Sequence, residues 1–567
     1  MSQGEEPDIR LLCAGKDCAD FTQALTLFRE LGRVPFVRAT LSLEETQKAQ
    51  DFTLGAPVEV KADKKSLFKG ELTTLRFLKQ SGRRQLTLEA RDKAHRLTLA
   101  PCTALYLDKS DADICKEILS RHGLSADIPP TSVKHPQLQQ AATTDWDFLL
   151  SRLWANGLMP LVQDGKLSAL KLDKLGSPTS LTLDAQTDFV TELELRLDNR
   201  AFVASATARA WDEVAQKETK AEGGTWKPPL PGGAKPSGTA KLEALLPYAA
   251  AKGEAEALAK GMLGRARLGF LCGRARLHNH AEVELGQGLC LKNFDGIADG
   301  VTVLWGVRLE AQAGLCILDL QFGYDFLEKM ERHCFGLTNP LGGEMPLAHG
   351  LYVGKVLKLS GDPEKGGRIQ VHIPLLHEAG KGIWARHSGP YAGAGRGAVF
   401  RPEKDDEVVL GFQGGNPRAP VILGALPSKA NPAPDKLEAK DEKNTLKGFV
   451  SKSGLQLLFN EEDKSLKLET PGGQSFCLDD KDGAVILKDK NGNVLSMDKS
   501  GICLESGKDI TLKAKGGITL TATKGIQAEG LDVKVTGKKE LALESKAMAE
   551  LKAGAVLTVK GAMVKIN

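Results

Sequence analysis

The sequence predicts a mainly β protein whose C-terminal part is a β-helix wound from three chains. Three observations carry this reading. Apolar pairs two residues apart recur through the last stretch of the chain. Short alternating segments joined by Gly and Pro turns fill residues 351–427. Before them, alternation typical of half-buried strands is interrupted by only a few helical patterns.

The repeat begins at Ile502/Leu504 and continues as Ile510/Leu512, Ile518/Leu520, Ile526/Ala528 and Val533/Val535. Leu541/Leu543, Ala549/Leu551, Leu557/Val559 and Val564/Ile566 follow, with first members 7 or 8 residues apart. Spacing i, i+2 puts both side chains of a pair on one face of a strand. A fixed period signals a stacked array. Eight extended residues span roughly 26 Å, enough for one side of a prism and its corner but not a full turn. One chain could wind through three octads per turn and leave the other levels empty, or three chains could wind together and fill them. With about two inward residues per unit, a single chain could not bury a wide core, and an intertwined trimer meets both demands. The predicted trimer core is therefore Ile502, Leu504, Ile510, Leu512, Ile518, Leu520, Ile526, Val533, Val535, Leu541, Leu543, Leu551, Leu557 and Val559. Strand edges pair across the seams between chains.

Composition sets the outer bounds. With 567 residues the chain has room for three or four domains, and 41% hydrophobic with 26% charged residues is ordinary for a soluble protein. A formal charge of +4 points to neither a nucleic-acid nor a membrane partner. Ten cysteines, at 13, 18, 102, 115, 272, 290, 316, 334, 477 and 503, form no CxxC pair and read as ordinary thiols. The start, MSQGEEPDIR, carries no signal-peptide pattern, and no run of 18 apolar residues occurs. The expectation is folding in the bacterial cytoplasm and export by another route.

In chain order, Val58–Val60, Ser66–Gly70, Leu86–Ala90 and Leu97–Leu99 alternate as strands. Ser110–Gly123 and Thr144–Gly157 each open on a capping hydroxyl with acids in the first turn and stop at Gly, as helices do. A Gly/Pro-rich linker lies near 222–238, and a helix is expected from about Ala249 to Leu263. Asn339–Pro346 marks a boundary that closes the region 1–345. Five short strands from Tyr352 to Gly424 suit a small Greek-key barrel of the OB type over 351–427. Residues 428–447 form a Pro/Lys-rich linker. Strand-and-turn units with Asp482-Gly483 and Asn491-Gly492 then open the array over 448–567.

The stretch Gly361-Asp-Pro-Glu-Lys-Gly-Gly-Arg368, with Ile369–Pro374, Gly382–Arg386, Phe400–Glu403, Asp406–Phe412 and Asn416–Leu426, resembles VgrG-type spike proteins of type VI secretion and related contractile injection systems. Lys447–Phe459 and Thr470–Gly473 resemble that family's entry into its spike. Asp111–Ile114 and Thr144–Phe148 resemble its phage tail-hub domain. The resemblance implies a tail-hub region of two β-barrel subdomains over 1–345, an OB-fold neck and a trimeric triangular needle. It also implies an Hcp-like tail tube and baseplate as partners, a PAAR-type tip protein on the needle, effectors as cargo and transient target-membrane contact. The last residues, Val564, Lys565, Ile566 and Asn567, are the candidate docking site for the tip protein, because an open apolar level invites a partner.

No sequence pattern points to catalysis, a cofactor or a metal. Gly393-Ala-Gly-Arg-Gly397 follows no strand–helix pattern and reads as a barrel loop. His278-Asn-His280, His372 and His377 lack the further ligands of a metal site. Glu403, Asp405, Asp406 and Glu407 read as a solvated turn rather than an acid/base pair. No GxSxG, HExxH or nucleophilic Cys/His spacing is present. Two rival classes have specific requirements. An OB-fold nucleic-acid binder needs basic and aromatic residues interleaved on the barrel strands, where acids intervene. A trimeric polysaccharide-cleaving tailspike needs paired carboxylates in a groove, which narrow octads do not offer.

Overall fold

The structure is a computed structural model that describes residues 7–43, 48–186, 190–212, 216–229, 236–246, 250–278, 282–296, 299–312, 314–324, 347–438 and 442–566. It divides into two compact units, Met1–Pro432 and Ala433–Asn567. Asn279, His280, Cys334, Asn567 and the Asn339–Pro346 boundary lie outside the described residues.

The first unit is built on one 13-stranded sheet and a closed five-stranded barrel. Within this sheet Gly300–Gln312 pairs with both Thr22–Glu30 and Leu315–Phe322, joining the start of the chain to its later strands. Leu27, Val37, Leu88, Leu277, Leu289, Leu309 and Phe322, from strands throughout this sheet, share one core. Alternation explains it: in Phe36–Ser42, Val37, Ala39 and Leu41 are buried while Arg38 between them is exposed.

Helix α1 (Asp111–Arg121) starts where its caps dictate. The Ser110 hydroxyl accepts from the Asp113 N–H, and the Asp113 carboxylate accepts from the Ser110 N–H. In helix α2 (Asp145–Ala155) Thr144 caps the Asp147 N–H in the same way. The two helices pack with Tyr106 and Leu138 into a second core that includes Ile114, Ile118, Phe148 and Leu149.

Two sequence readings need correction here. Leu97–Leu99 is not a strand: residues Lys93–Thr98 make a 3-10 helix whose N-terminus is capped by Asp92, and only Leu97 of that apolar pair is buried. The third helix, α3 (Lys252–Leu268), runs three residues later at its start and five at its end than expected. It lacks a side-chain cap, so no residue type announced its first turn.

The OB-type barrel closes through Tyr352–Lys358, Ile369–His372, Ile383–His387, Pro420–Ala425 and Glu407–Phe412, in that spatial order. Val356, Ile369, Val371, Ile383, Val408, Leu410 and Ile422 fill it. The Gly393–Gly397 segment is a loop with a two-residue ladder, as read from the sequence.

The second unit opens with a seven-stranded antiparallel meander: Leu446–Val450, Gln456–Asn460, Ser465–Glu469, Ser475–Asp479, Ala484–Lys488, Val494–Asp498 and Gly501–Glu505. Tight turns join them. Gly483 and Gly492 take positive φ of 57° and 86° at the two X-Gly turns seen in the sequence. Residues 507–566 form no strand pair within the chain and are all exposed.

Candidate functional site: an apolar assembly face

Register decides what the meander presents. Residues paired across strands share a face. One column runs Phe449, Leu457, Leu468, Phe476, Leu487, Leu495, Leu504. The next, two residues away on the same face, runs Lys447, Phe459, Leu466, Leu478, Val485, Met497, Ile502. Every member but Lys447 is apolar. The central column of the other face is mixed: Gly448, Leu458, Lys467, Cys477, Ile486, Ser496, Cys503.

This face is open in the single chain. Leu468 is 45% exposed, Leu487 52% and Ile502 74%. The same i, i+2 pairing then continues through the octads, where Ile510, Leu512, Ile518, Leu520, Ile526, Val533, Val535, Leu541, Leu543, Leu551, Leu557, Val559, Val564 and Ile566 are all exposed. Soluble monomers rarely carry an apolar surface of this extent. The octads also leave their backbone without ladder partners, and a strand with neither core nor pairing is unstable alone. Strands of other chains are one way to meet both deficits. Ile502 and Leu504, read from the sequence as the first octad, belong to the last antiparallel strand of the meander, so the unpaired array starts one unit later. Lys565 is exposed beside Val564 and Ile566.

The sequence missed the meander part of this face. From Lys447/Phe449 to Leu495/Met497 its pairs recur at intervals of 9 or 10 residues, set by hairpin turns, and only the last, Ile502/Leu504, falls near the octad period. Matching i, i+2 pairs across the turns was the signal that finds it.

A second feature escaped sequence reading. Strand Lys134–Thr144 docks the α1–α2 region on the barrel through alternating polar side chains. Gln137 donates to the backbone oxygens of Trp384 (2.9 Å) and Arg418 (3.0 Å) and accepts from the Trp384 N–H (2.8 Å). Gln139 donates to the Leu376 oxygen at 2.8 Å, and Ala141 joins the barrel core. Beside them lies a buried ring of charge. Asp111 takes Arg152 Nε at 2.6 Å, His135 Nε2 at 3.1 Å and Asn156 Nδ2 at 2.8 Å. Arg418 Nη1 meets His135 Nδ1 at 3.2 Å, and its Nη2 meets Glu254 at 2.7 Å. Burial pushes the Asp111 carboxyl up, but the Arg152 charge and the bonds from His135 and Arg152 outweigh it and hold the group well below the usual carboxylate range.

The groups weighed for chemistry are placed as follows. Burial lowers His377 to about 4, with a smaller push from His372, whose ring centre is 5.9 Å away. Its Nδ1 accepts from the Ile373 N–H. The Asp406 carboxylate closes the charged turn by accepting from the Glu403 N–H, and Asp405 sits at φ 72° within it. His278 lies at the end of strand Leu271–His278. Cys102, His122 and Asp145 converge in a way the sequence did not signal. His122 Nε2 and the Cys102 thiol both bond the Asp145 carboxylate, at 2.7 and 3.1 Å. Burial, with the Asp145 bond and charge, raises the thiol to about 11, the wrong direction for a nucleophile.

Residues 352–426 match the model of the type VI secretion system/phage-baseplate injector OB domain. Residues 41–309 match that of the Alg8 N-terminal domain. The limits of the second match fall inside strands Phe36–Ser42 and Gly300–Gln312, so they delimit no domain of this fold. Among solved structures, a chain of the Francisella PdpA–VgrG complex in its lidded form is similar, with 12% identity, TM-score 0.53, and 89% of this chain and 80% of that one covered. The lidless form gives 11%, 0.52, 89% and 98%. An Escherichia coli type VI secretion component, c3393, described as similar in structure to T4 tail proteins gp27 and gp5, gives 13%, 0.48, 75% and 99%. No curated protein matches the chain by sequence.

Proposed function

We propose that this chain, with the injector OB domain over 352–426 and the fold of a VgrG-type spike, is the hub and spike of a contractile injection machine. Its first unit meets the tail tube and baseplate. Its second unit winds with two further copies into the needle. The observation that carries this is the continuous apolar face, from Phe449 to Leu504 across seven strands and onward through the octads. Three copies facing one axis bury it and pair the free strands.

The role is mechanical rather than catalytic. Force along a three-chain β-helix loads many backbone bonds at once. An Hcp-like tube, a PAAR-type tip protein over Val564, Lys565 and Ile566, and effectors are the partners this reading names. Assembly takes place in the bacterial cytoplasm, and contraction carries the spike outward to a target membrane. Mass measurement of the native protein tests the core of the proposal. The expected value is three times the 60.8 kDa chain mass, and a stable monomer at micromolar concentration refutes it. Docking has its own test: a tip protein from the same gene cluster should be recovered with the wild type and much less with Ile566→Asp. Equal recovery removes the docking site and leaves the trimer standing.

A further inference from the structure

We infer that the outer face of barrel strands Tyr352–Lys358, Glu407–Phe412 and Pro420–Ala425 is a contact between copies of this chain, closed around the axis of the proposed trimer. It rests on the three-chain reading above and adds a second contact, separate from the needle.

Alternation sorts the side chains of these strands. Val356, Val408, Leu410 and Ile422 point into the barrel and are fully buried. Between them Val353, Val409 and Val421 point outward. The ladder sets Val353 opposite Val409 and Gly411 opposite Val421, so the three strands share one apolar surface. Gly411 lies at its centre, in extended strand. A Cβ placed there would stand 3.6 Å from Leu423 Cδ1 and 3.7 Å from Leu351 Cδ2, so these two leucines flank a patch of bare backbone. They are 51% and 66% exposed, and Leu426 is exposed just beyond the last strand. Lys355 and Glu407, opposite each other in the ladder, close one end of the face. The other two barrel strands differ. Their outward residues include Gln370, His372 and Arg386, and Trp384 lines a cleft with Gln137.

The size of the face selects its occupant. It offers on the order of a few hundred Å². A stable contact between free proteins buries about 1,200–2,000 Å². The face is therefore too small to capture an untethered partner, and sufficient for copies already held together. The chain from Leu426 to the first meander strand, Leu446–Val450, has about 20 residues, which as a flexible segment span roughly 25 Å. Three needles wound together thus keep three barrels at an effective concentration of about millimolar. In a closed three-fold ring the contact is heterologous. The Leu351/Val353 flank of one copy meets Leu423 and Leu426 of the next, and Val409 and Gly411 on the middle strand lie nearest the axis.

The test is cross-linking of the full-length chain carrying Gly411→Cys with a short bismaleimide, followed by peptide mapping, with native mass measured on the same sample. A peptide joining position 411 to position 411 comes only from two copies, whatever the native cysteines do. It is expected from a sample of trimeric mass. Adding Leu423→Asp should reduce it severalfold while the mass stays trimeric, because the needle contacts remain. Leu375→Cys, at a side chain 78% exposed and outside the face, should give no link to its own copy. Trimeric mass without the 411–411 peptide overturns the barrel contact and leaves the proposed trimer standing, whereas a monomeric mass removes both. An undiminished link with Leu423→Asp, or an equal yield from Leu375→Cys, means that the barrels collide through the tether alone and is equally fatal. If Gly411→Cys does not fold, Leu423→Cys takes its place, with Val353→Asp as the disrupting change.

Discussion

Asp362 lies in a turn yet behaves as a buried anchor. Its carboxylate takes the Arg368 Nε and Nη2 and the backbone N–H groups of Glu364, Gly366 and Arg368. Burial pushes it up, and these bonds overcome that and bring it to about 2. A depressed acid stabilises the fold above its unfolded value, near 3.8, and the contribution disappears as pH falls through the folded value. The stake is about 2 kcal/mol at most. Asp362→Asn should therefore destabilise the barrel near neutrality and flatten its acid unfolding between about pH 4 and 2, read by thermal melts. His377 runs the other way in mechanism but not in sign. Held neutral with its value near 4, it favours the folded state above the ordinary histidine range and loses that advantage as pH drops from about 6.5 to 4. His377→Asn, which retains the acceptor for the Ile373 N–H, should lessen that loss of melting temperature. An unchanged slope in that window removes His377 from the account. Neither role is legible in the sequence, where Asp362 stands only within the Gly361–Arg368 stretch and His377 only as a histidine without further metal ligands. Burial and bonding appear only once the loops fold back.

At the scale of elements, caps and alternation were readable and tertiary overrides were not. Ser110 and Thr144 fixed the starts of α1 and α2 because capping is local chemistry. Leu97 misled because an apolar pair two apart also fits a 3-10 turn that buries one member. The Lys134–Thr144 strand was invisible as a joint because its inward residues are glutamines and a histidine, whose partners on the barrel side lie more than 200 residues away. The octads were the clearest signal, since each repeats the same inward pair. That alternation is directly testable. Ile518 faces the proposed axis and Thr519 faces away. Ile518→Asp brings three carboxylates together in an apolar core, at a cost of several kcal/mol per group. It should keep the octads from winding together and so remove much of the assembly's resistance to guanidinium, whereas Thr519→Asp should leave that resistance intact. Matching guanidinium midpoints for the two variants would show that the faces are misassigned.

For the whole molecule, the question is which part would hold the proposed trimer together. The octads give the sequence its visible period, but the meander supplies thirteen apolar side chains on one face, already ordered by its own ladder. These side chains are already about half covered in the single chain, so burying the rest is worth on the order of 10 kcal/mol per chain as an upper estimate. Three such faces together offset two association steps of roughly 4–15 kcal/mol each. The octads differ in kind. They have no intrachain pairing, so their folding and their association are one event. Ending the chain after Glu505 should therefore preserve the trimer while removing most of its resistance to denaturant. Native mass spectrometry reads the first effect and guanidinium titration the second. A monomeric truncated chain would place all of the cohesion in the octads and make the meander face a consequence of assembly. A truncated trimer as resistant as the full chain would make the octads mechanically idle.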